Sequence, residues 1–172
     1  ETLMMIDSLK MRDADRDYIV NRCKQEETNR IIITHGTDTM VDTARIIANT
    51  IKDKTIIVTG GFGFVGQQVI EKLLKFNVKR IIILDSLDYG SENKTVLSDK
   101  RVHFKKVKLG SATEEEIVDH ISGADYCIHL AAEKSKSKNI PDNILKCNVN
   151  GMYTLLQALV NVGVKKIIFS SS

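Results

Sequence analysis

Short apolar runs rich in β-branched residues alternate along this chain with stretches of helical periodicity. Near-continuous apolar runs such as residues 81–84 are typical of strands buried on both faces of a parallel sheet. The runs predict six strands, at Ile31–Thr34, Thr55–Thr59, Arg80–Leu84, Val102–Val107, Tyr126–Leu130 and Lys166–Ser170. The periodic stretches predict helices at Phe64–Phe76, Glu114–Ile121 and Ile144–Val162. This alternation indicates an α/β fold with right-handed crossovers.

Composition narrows the class of protein further. The chain has 172 residues, of which 42% are hydrophobic and 27% charged, enough for one domain with a sizeable core. No apolar run approaches the roughly 20 residues of a membrane helix, and a net charge of +3 does not indicate nucleic-acid binding. Three cysteines without C-x-x-C spacing predict no metal site and a reducing, cytoplasmic setting. The first residue and the terminal serines suggest a chain cut at both ends.

A glycine-rich turn, Gly60–Gly66, follows the predicted strand Thr55–Thr59 and leads directly into a helix. Gly60 permits a tight turn, Gly63 lets the backbone approach a pyrophosphate, and Gly66 lets the helix pack close to the strand. The first turn of that helix would present its amides to the phosphates. These features predict a dinucleotide-binding site, and the alternative is a purely structural turn.

Asp85 strengthens the dinucleotide hypothesis. It ends the predicted strand Arg80–Leu84, about 20 residues beyond the glycine-rich turn, where a carboxylate can accept both ribose hydroxyls of adenosine. The same charge would repel a 2′-phosphate, which favours NAD over NADP. The alternative is that Asp85 only caps the strand.

From about residue 54 to 172 the sequence resembles the extended short-chain dehydrogenase/reductases, which include nucleotide-sugar epimerases and dehydratases. Thr59–Gly66 is similar to that family's T-G-x-x-G-x-x-G turn, Asp125–Ala132 to its fourth strand and following loop, and Cys147–Gly151 to its N-V-x-G stretch. The resemblance implies a Rossmann-like parallel sheet of order 3-2-1-4-5 with helices on both faces. It implies NAD as cofactor, bound by Gly60, Gly63, Phe64, Val65, Gly66, Asp85, Ser111, Leu130, Ala131, Ala132 and Asn148.

The same resemblance implies a reaction in which NAD transiently takes a hydride from a nucleotide sugar. Ser172 matches the catalytic serine of the family, but no Tyr-x-x-x-Lys motif occurs in the chain. We therefore expect a cofactor half-site without turnover. Ser111 stands where the family has an aspartate that binds adenine, which would weaken that contact. The full-length family implies a homodimer.

Residues 1–53, which we call the head, differ from the rest of the chain and are predicted to form a helix, a strand and a helix. Residues 34–40 read T-H-G-T-D-T-M and resemble the N-domain of bacterial-type L-asparaginases, with Thr37 and Asp38 in the amidohydrolase roles and Ser8 in the substrate loop. That family's nucleophilic threonine and lysine have no match here, so we expect no asparaginase activity. An amidohydrolase and a non-catalytic NAD-binding module remain the alternatives to the epimerase/dehydratase hypothesis.

The position of the head strand, Ile31–Thr34, follows from strand pairing. In a Rossmann sheet the strand Thr55–Thr59 is central, with a neighbour on each side, so no edge is free beside it. We predict that the head strand either docks beside Lys166–Ser170 or stays detached. Two smaller predictions concern His129, expected to be a hydrogen-bonded core residue, and Asn148, which either caps a helix or clamps the backbone.

Overall fold

The computed structural model describes residues 3–25, 31–36, 39–50, 54–134 and 142–170. Its strands are β1 (Ile31–His35), β2 (Thr55–Thr59), β3 (Arg80–Asp85), β4 (Val102–Lys106), β5 (Tyr126–His129) and β6 (Lys166–Ser170). Its helices are α1 (Asp13–Gln25), α2 (Met40–Thr50), α3 (Phe64–Leu73), α4 (Lys94–Leu97), α5 (Glu114–Ile121), α6 (Asp142–Ile144) and α7 (Met152–Asn161). A 3₁₀ turn covers Ser8–Lys10, and a π-helical segment, Leu145–Gly151, joins α6 to α7.

The six strands form one sheet of order β1-β6-β5-β2-β3-β4, in which every neighbouring pair is parallel. The five strands from β2 to β6 have the predicted 3-2-1-4-5 order. Residues 81–84 of β3 are buried, because helices cover both faces of the sheet. Helices α2 and α3 pack against one face, and α5 and α7 against the other.

The head strand β1 pairs with β6, with Ile31 opposite Lys166 and His35 opposite Ser170. This confirms docking at the β6 edge, and the alternative of a detached head is wrong. Strand β2 already pairs with β3 and β5 on its two sides, so β1 could not reach it. The strand order 3-2-1-4-5-6, common among dinucleotide-binding folds, places a sixth strand beside the fifth. In this chain a segment that precedes the nucleotide-binding strands fills that place.

The head also contributes to the hydrophobic core. Met40, the first residue of α2, is fully buried in the same cluster as Ile56, Val58 and Ile168 of the central sheet. Ile33 of β1 packs against this cluster. The docking of the head is therefore a packed interface and not only a strand pairing.

Strand bounds differ from the predicted ones by at most one residue, and the helices differ in three main respects. Helix α3 stops at Leu73, and Arg101 donates to the carbonyl oxygens of Leu74 and Phe76 just beyond its end, at 2.9 and 3.0 Å. The predicted helix from Ile144 starts at Asp142 instead and contains the π-helical segment. Helix α4 was not predicted, and Asn93 caps it by accepting from the Thr95 and Val96 amides.

In the part of the chain that the structure describes, no helix is long and apolar enough to cross a bilayer.

Candidate functional site

The glycine-rich turn Gly60–Gly66 lies at the carboxyl edge of the sheet, between β2 and α3. Gly60 has a φ of +67°, and a Cβ added there would lie 2.8 Å from the Ala131 amide nitrogen. A Cβ on Gly66 would lie 2.2 Å from the Gly60 carbonyl oxygen. The turn closes on itself and against the loop after β5 more tightly than any side chain allows.

The first turn of α3 offers its amides to a ligand. Gly63, the N-cap, has extended backbone, and within the described residues no side chain caps this end of the helix. A Cβ on Gly63 would meet only the Gly60 carbonyl oxygen, at 3.2 Å, so the outer side of the turn is open. Phe64 is exposed and Val65 half-buried. Open amides at the positive end of a helix fit the pyrophosphate of a dinucleotide.

Asp85 ends β3 next to this turn and is buried. Its Oδ2 accepts from the Phe62 amide at 2.9 Å, and its Oδ1 accepts from the Leu87 amide at 2.8 Å. A carboxylate has about four acceptor positions, so two are left for ribose hydroxyls. The structure therefore shows that Asp85 fixes the glycine-rich turn to the end of β3.

A buried network joins the ends of β2 and β5. The Thr59 hydroxyl accepts from the amides of Leu130 and Ala131, each at 3.1 Å, and lies 2.7 Å from His129 Nδ1. Because these two amides occupy both lone pairs of the hydroxyl, its hydrogen points to Nδ1, and His129 is the neutral Nε2–H tautomer. Burial lowers the pKa of His129 to about 4. His129 is the hydrogen-bonded core residue that the sequence predicted, and it orients the Thr59 hydroxyl that binds the Leu130 and Ala131 amides.

Asn148 binds the backbone of the loop after β5 and does not cap a helix. Its Nδ2 donates to the Glu133 carbonyl oxygen at 2.9 Å, and its Oδ1 accepts from the Glu133 amide at 2.7 Å. Asn148 lies in the π-helical segment, where the backbone also passes close to Gly110. The segment thereby holds the end of the β5 loop, one residue beyond Ala132.

Two contacts that sequence reasoning missed link the loops around Asp85. The Lys108 ammonium lies 2.8 Å from Asp88 Oδ2, and the Tyr89 hydroxyl donates to the Glu133 carboxylate. Leu87, which lies between Asp85 and Asp88 in the sequence, is a non-glycine residue with a φ of +63°. This strained conformation is common at functional sites. In the sequence, the only sign of the contact with Lys108 was the acidic residue Asp88, three positions after Asp85.

The structure shows less about the remaining predicted site residues. Ser111 is exposed on the turn after β4, and its amide donates to the Lys108 carbonyl oxygen. Thr37, Asp38 and Ser172 lie outside the described residues, so the predictions about them stay predictions.

Replacing Gly66 with alanine is expected to lower the free energy of unfolding by about 1–3 kcal/mol, because the new Cβ overlaps the Gly60 carbonyl. Gly63→Ala is the matched control, since its Cβ finds more room. We expect that variant to keep its stability in chemical denaturation but to bind NAD more weakly, because the methyl group occupies the open side of the turn. Equal stability of the two variants would contradict this account of the turn.

Family profiles match both parts of the chain. The 3-beta hydroxysteroid dehydrogenase/isomerase family matches residues 57–172, and the N-terminal domain of asparaginase matches residues 1–63. The two matches overlap over β2 and the start of the glycine-rich turn.

Curated relatives include an uncharacterized membrane protein of Methanocaldococcus jannaschii, 32% identical over 73% of this chain and 38% of its own length. Another is UDP-glucose 4-epimerase 1 of Oryza sativa subsp. japonica, 30% identical over 69% of this chain and 36% of its own length. The chain thus spans little more than a third of these relatives.

Solved structures agree with the sequence relatives. A UDP-N-acetylglucosamine 4-epimerase from Methanobrevibacter ruminantium superposes with a TM-score of 0.60 at 31% identity, covering 71% of this chain and 39% of its own. The dTDP-glucose 4,6-dehydratase DesIV of Streptomyces venezuelae, solved with NAD bound, gives a TM-score of 0.57 at 30% identity, covering 66% and 38%. These matches confirm the resemblance to extended short-chain dehydrogenases. Over residues 57–172 the chain belongs to the 3-beta hydroxysteroid dehydrogenase/isomerase family.

Proposed function

We propose that this chain is the NAD-binding portion of an enzyme that epimerises or dehydrates a nucleotide sugar through transient hydride transfer. Relatives that are epimerases and a dehydratase support the reaction class. The NAD in the DesIV structure supports the cofactor.

One observation carries the cofactor assignment: the hydrogen bond from the Phe62 amide to Asp85. It joins a turn shaped for phosphates to a carboxylate placed for ribose, at the carboxyl ends of β2 and β3. In this strand order the chain departs from β2 first toward β3 and later toward β5, which makes the carboxyl end of β2 the topological switch point where such folds bind ligands.

The residues then have distinct tasks. The amides of Phe64, Val65 and Gly66 would bind the pyrophosphate, and Asp85 would accept from the ribose. Leu130, Ala131 and Ala132, held by Thr59 and Asn148, would line the nicotinamide half. Bound NAD would supply a hydride acceptor. Ser172 would hydrogen-bond the reacting sugar hydroxyl, and Ser111 would contact adenine.

NAD is expected to raise the thermal stability of the chain. At a concentration of a hundred times its dissociation constant, a ligand that binds only the native state adds about 2.7 kcal/mol. We expect this shift with NAD in a thermal melt followed by circular dichroism, and a smaller one with NADP. No shift with either nucleotide would refute the proposed function.

Asp85→Ala tests the ribose assignment. We expect weaker NAD binding and a reduced preference over NADP, because the variant lacks both the acceptor and the charge that repels a 2′-phosphate. Asp119→Ala, on the exposed side of α5, is the control and should bind like the parent chain. Unchanged binding of both nucleotides by Asp85→Ala would show that Asp85 does not contact the ribose.

A second candidate function rests on the asparaginase match to residues 1–63. Thr37 and Asp38 would supply its hydroxyl and carboxylate. We infer that the chain alone does not hydrolyse asparagine, because no residue of the sequence matches the nucleophilic threonine of that family. An ammonia-release assay with L-asparagine tests this.

The expected partners and location remain part of the proposal. Exposed apolar side chains along the helical region from α6 to α7 support a homodimer: Leu145, Val149, Tyr153 and Val160. We also propose a cytoplasmic location, because three cysteines without C-x-x-C spacing are typical of a protein in a reducing setting.

A further inference from the structure

The loop after β3 holds a lysine that follows the neighbouring strand β4. Asp88 Oδ2 lies 2.8 Å from the Lys108 ammonium, and the two side chains are 39% and 51% exposed. This hydrogen bond lowers the pKa of Asp88 and raises that of Lys108. Both groups are therefore charged at neutral pH, and the Asp88–Lys108 pair is accessible to a ligand in solution.

The pair lies beside the expected ribose site. Strand β4 pairs with β3 so that Lys106 is opposite Asp85, and the Val107 amide donates to the Asp85 carbonyl oxygen at 3.0 Å. Lys108 is the next residue, so its side chain starts one residue beyond this contact. The left-handed turn at Leu87 brings Asp88 back toward it.

The charges of Asp88 and Lys108 affect how a phosphate could bind beside Asp85. A 2′-phosphate on the adenosine ribose would meet the Asp85 carboxylate and needs a cation to compensate. Lys108 could supply that cation, because a lysine ammonium binds phosphate as a point charge. In this structure Asp88 already neutralises it.

We propose that Asp88 determines nucleotide selectivity by holding the Lys108 ammonium away from a 2′-phosphate. The inference rests on the proposed binding of NAD and adds to it a residue outside the glycine-rich turn and Asp85. NAD, which has a hydroxyl at this position, does not depend on the pair.

Four proteins test the proposal: the full chain, Asp88→Asn, Lys108→Met and the double variant. Dissociation constants of NAD and NADP are measured for each by calorimetry at low and at high salt. Circular dichroism checks folding, which should persist because exposed ion pairs contribute little to stability. We expect Asp88→Asn to bind NADP about tenfold more tightly at low salt, as expected for a freed charge-assisted contact, with NAD binding unchanged.

The double variant should return to the NADP affinity of the parent chain, and Lys108→Met alone should keep the parent's preference. If Asp88→Asn binds NADP no better, or if the gain persists in the double variant, the proposal is wrong although NAD binding stands. If the parent chain binds neither nucleotide, the proposed function itself fails, and this inference fails with it.

Discussion

Replacing Met40 with alanine is expected to lower the free energy of unfolding by about 2–5 kcal/mol, the usual cost of truncating a buried methionine. Met40 is fully buried and packs in the core cluster of the nucleotide-binding sheet, although it belongs to the asparaginase-like head. The measurement is urea denaturation followed by far-ultraviolet circular dichroism, because the chain has no tryptophan to report by fluorescence.

Met5→Ala is the matched control for this variant. Met5 is 95% exposed, so its truncation should change stability by less than about 0.5 kcal/mol. The transition of Met40→Ala should remain single, since the head and the sheet share one core. If Met40→Ala is as stable as Met5→Ala, the head does not pack on the sheet in solution.

Acidification is expected to destabilise the protein through His129. Its pKa is about 4 in the folded chain because the ring is buried, and about 6.5 for an unfolded histidine. Below pH 6.5 the unfolded state therefore binds a proton that the native state does not. The resulting stability is complete above about pH 6.5 and decreases as the pH falls toward 4, by about 3 kcal/mol.

His129→Gln isolates this effect. The variant should lose less stability than the parent chain between about pH 7 and pH 4.5 in urea denaturation, because it lacks the titrating ring. His103→Gln, at an exposed position of β4, should keep the full pH dependence. Parallel pH profiles for all three proteins would show that His129 does not control acid stability. Because His129 contacts Thr59, the loop of Ala131 should loosen in the same pH range.

The docking of the head shows how sheet pairing selects among alternatives. Both family matches include residues 57–63, so local sequence alone would allow β1 to pair beside β2. The central position of β2 prevents this, because β3 and β5 use both of its edges. The open edge of β6 accepts β1 instead, in parallel register over five residue pairs.

Much of the candidate site could be predicted because its signals are local. The glycine-rich turn, Asp85 and the strands on either side depend on residues within about 30 positions, and backbone geometry and hydrophobic periodicity determine them. The π-helical segment could not be predicted, because its cause is tertiary: Gly110 and Gly151 bring two backbones together and Asn148 binds Glu133. The end of α3 was missed because Arg101, far along the chain, binds the carbonyl oxygens just beyond it.

By itself the sequence determined the α/β fold class, the glycine-rich turn and the carboxylate beside it. Each of these follows from spacing and residue type along a continuous stretch of chain. Only the tertiary structure decided where the head packs, that Asp85 fixes the glycine-rich turn, and that Asp88 holds Lys108. Those contacts join residues on different strands, and pairing across a sheet depends on which edges remain free after the central strands have assembled.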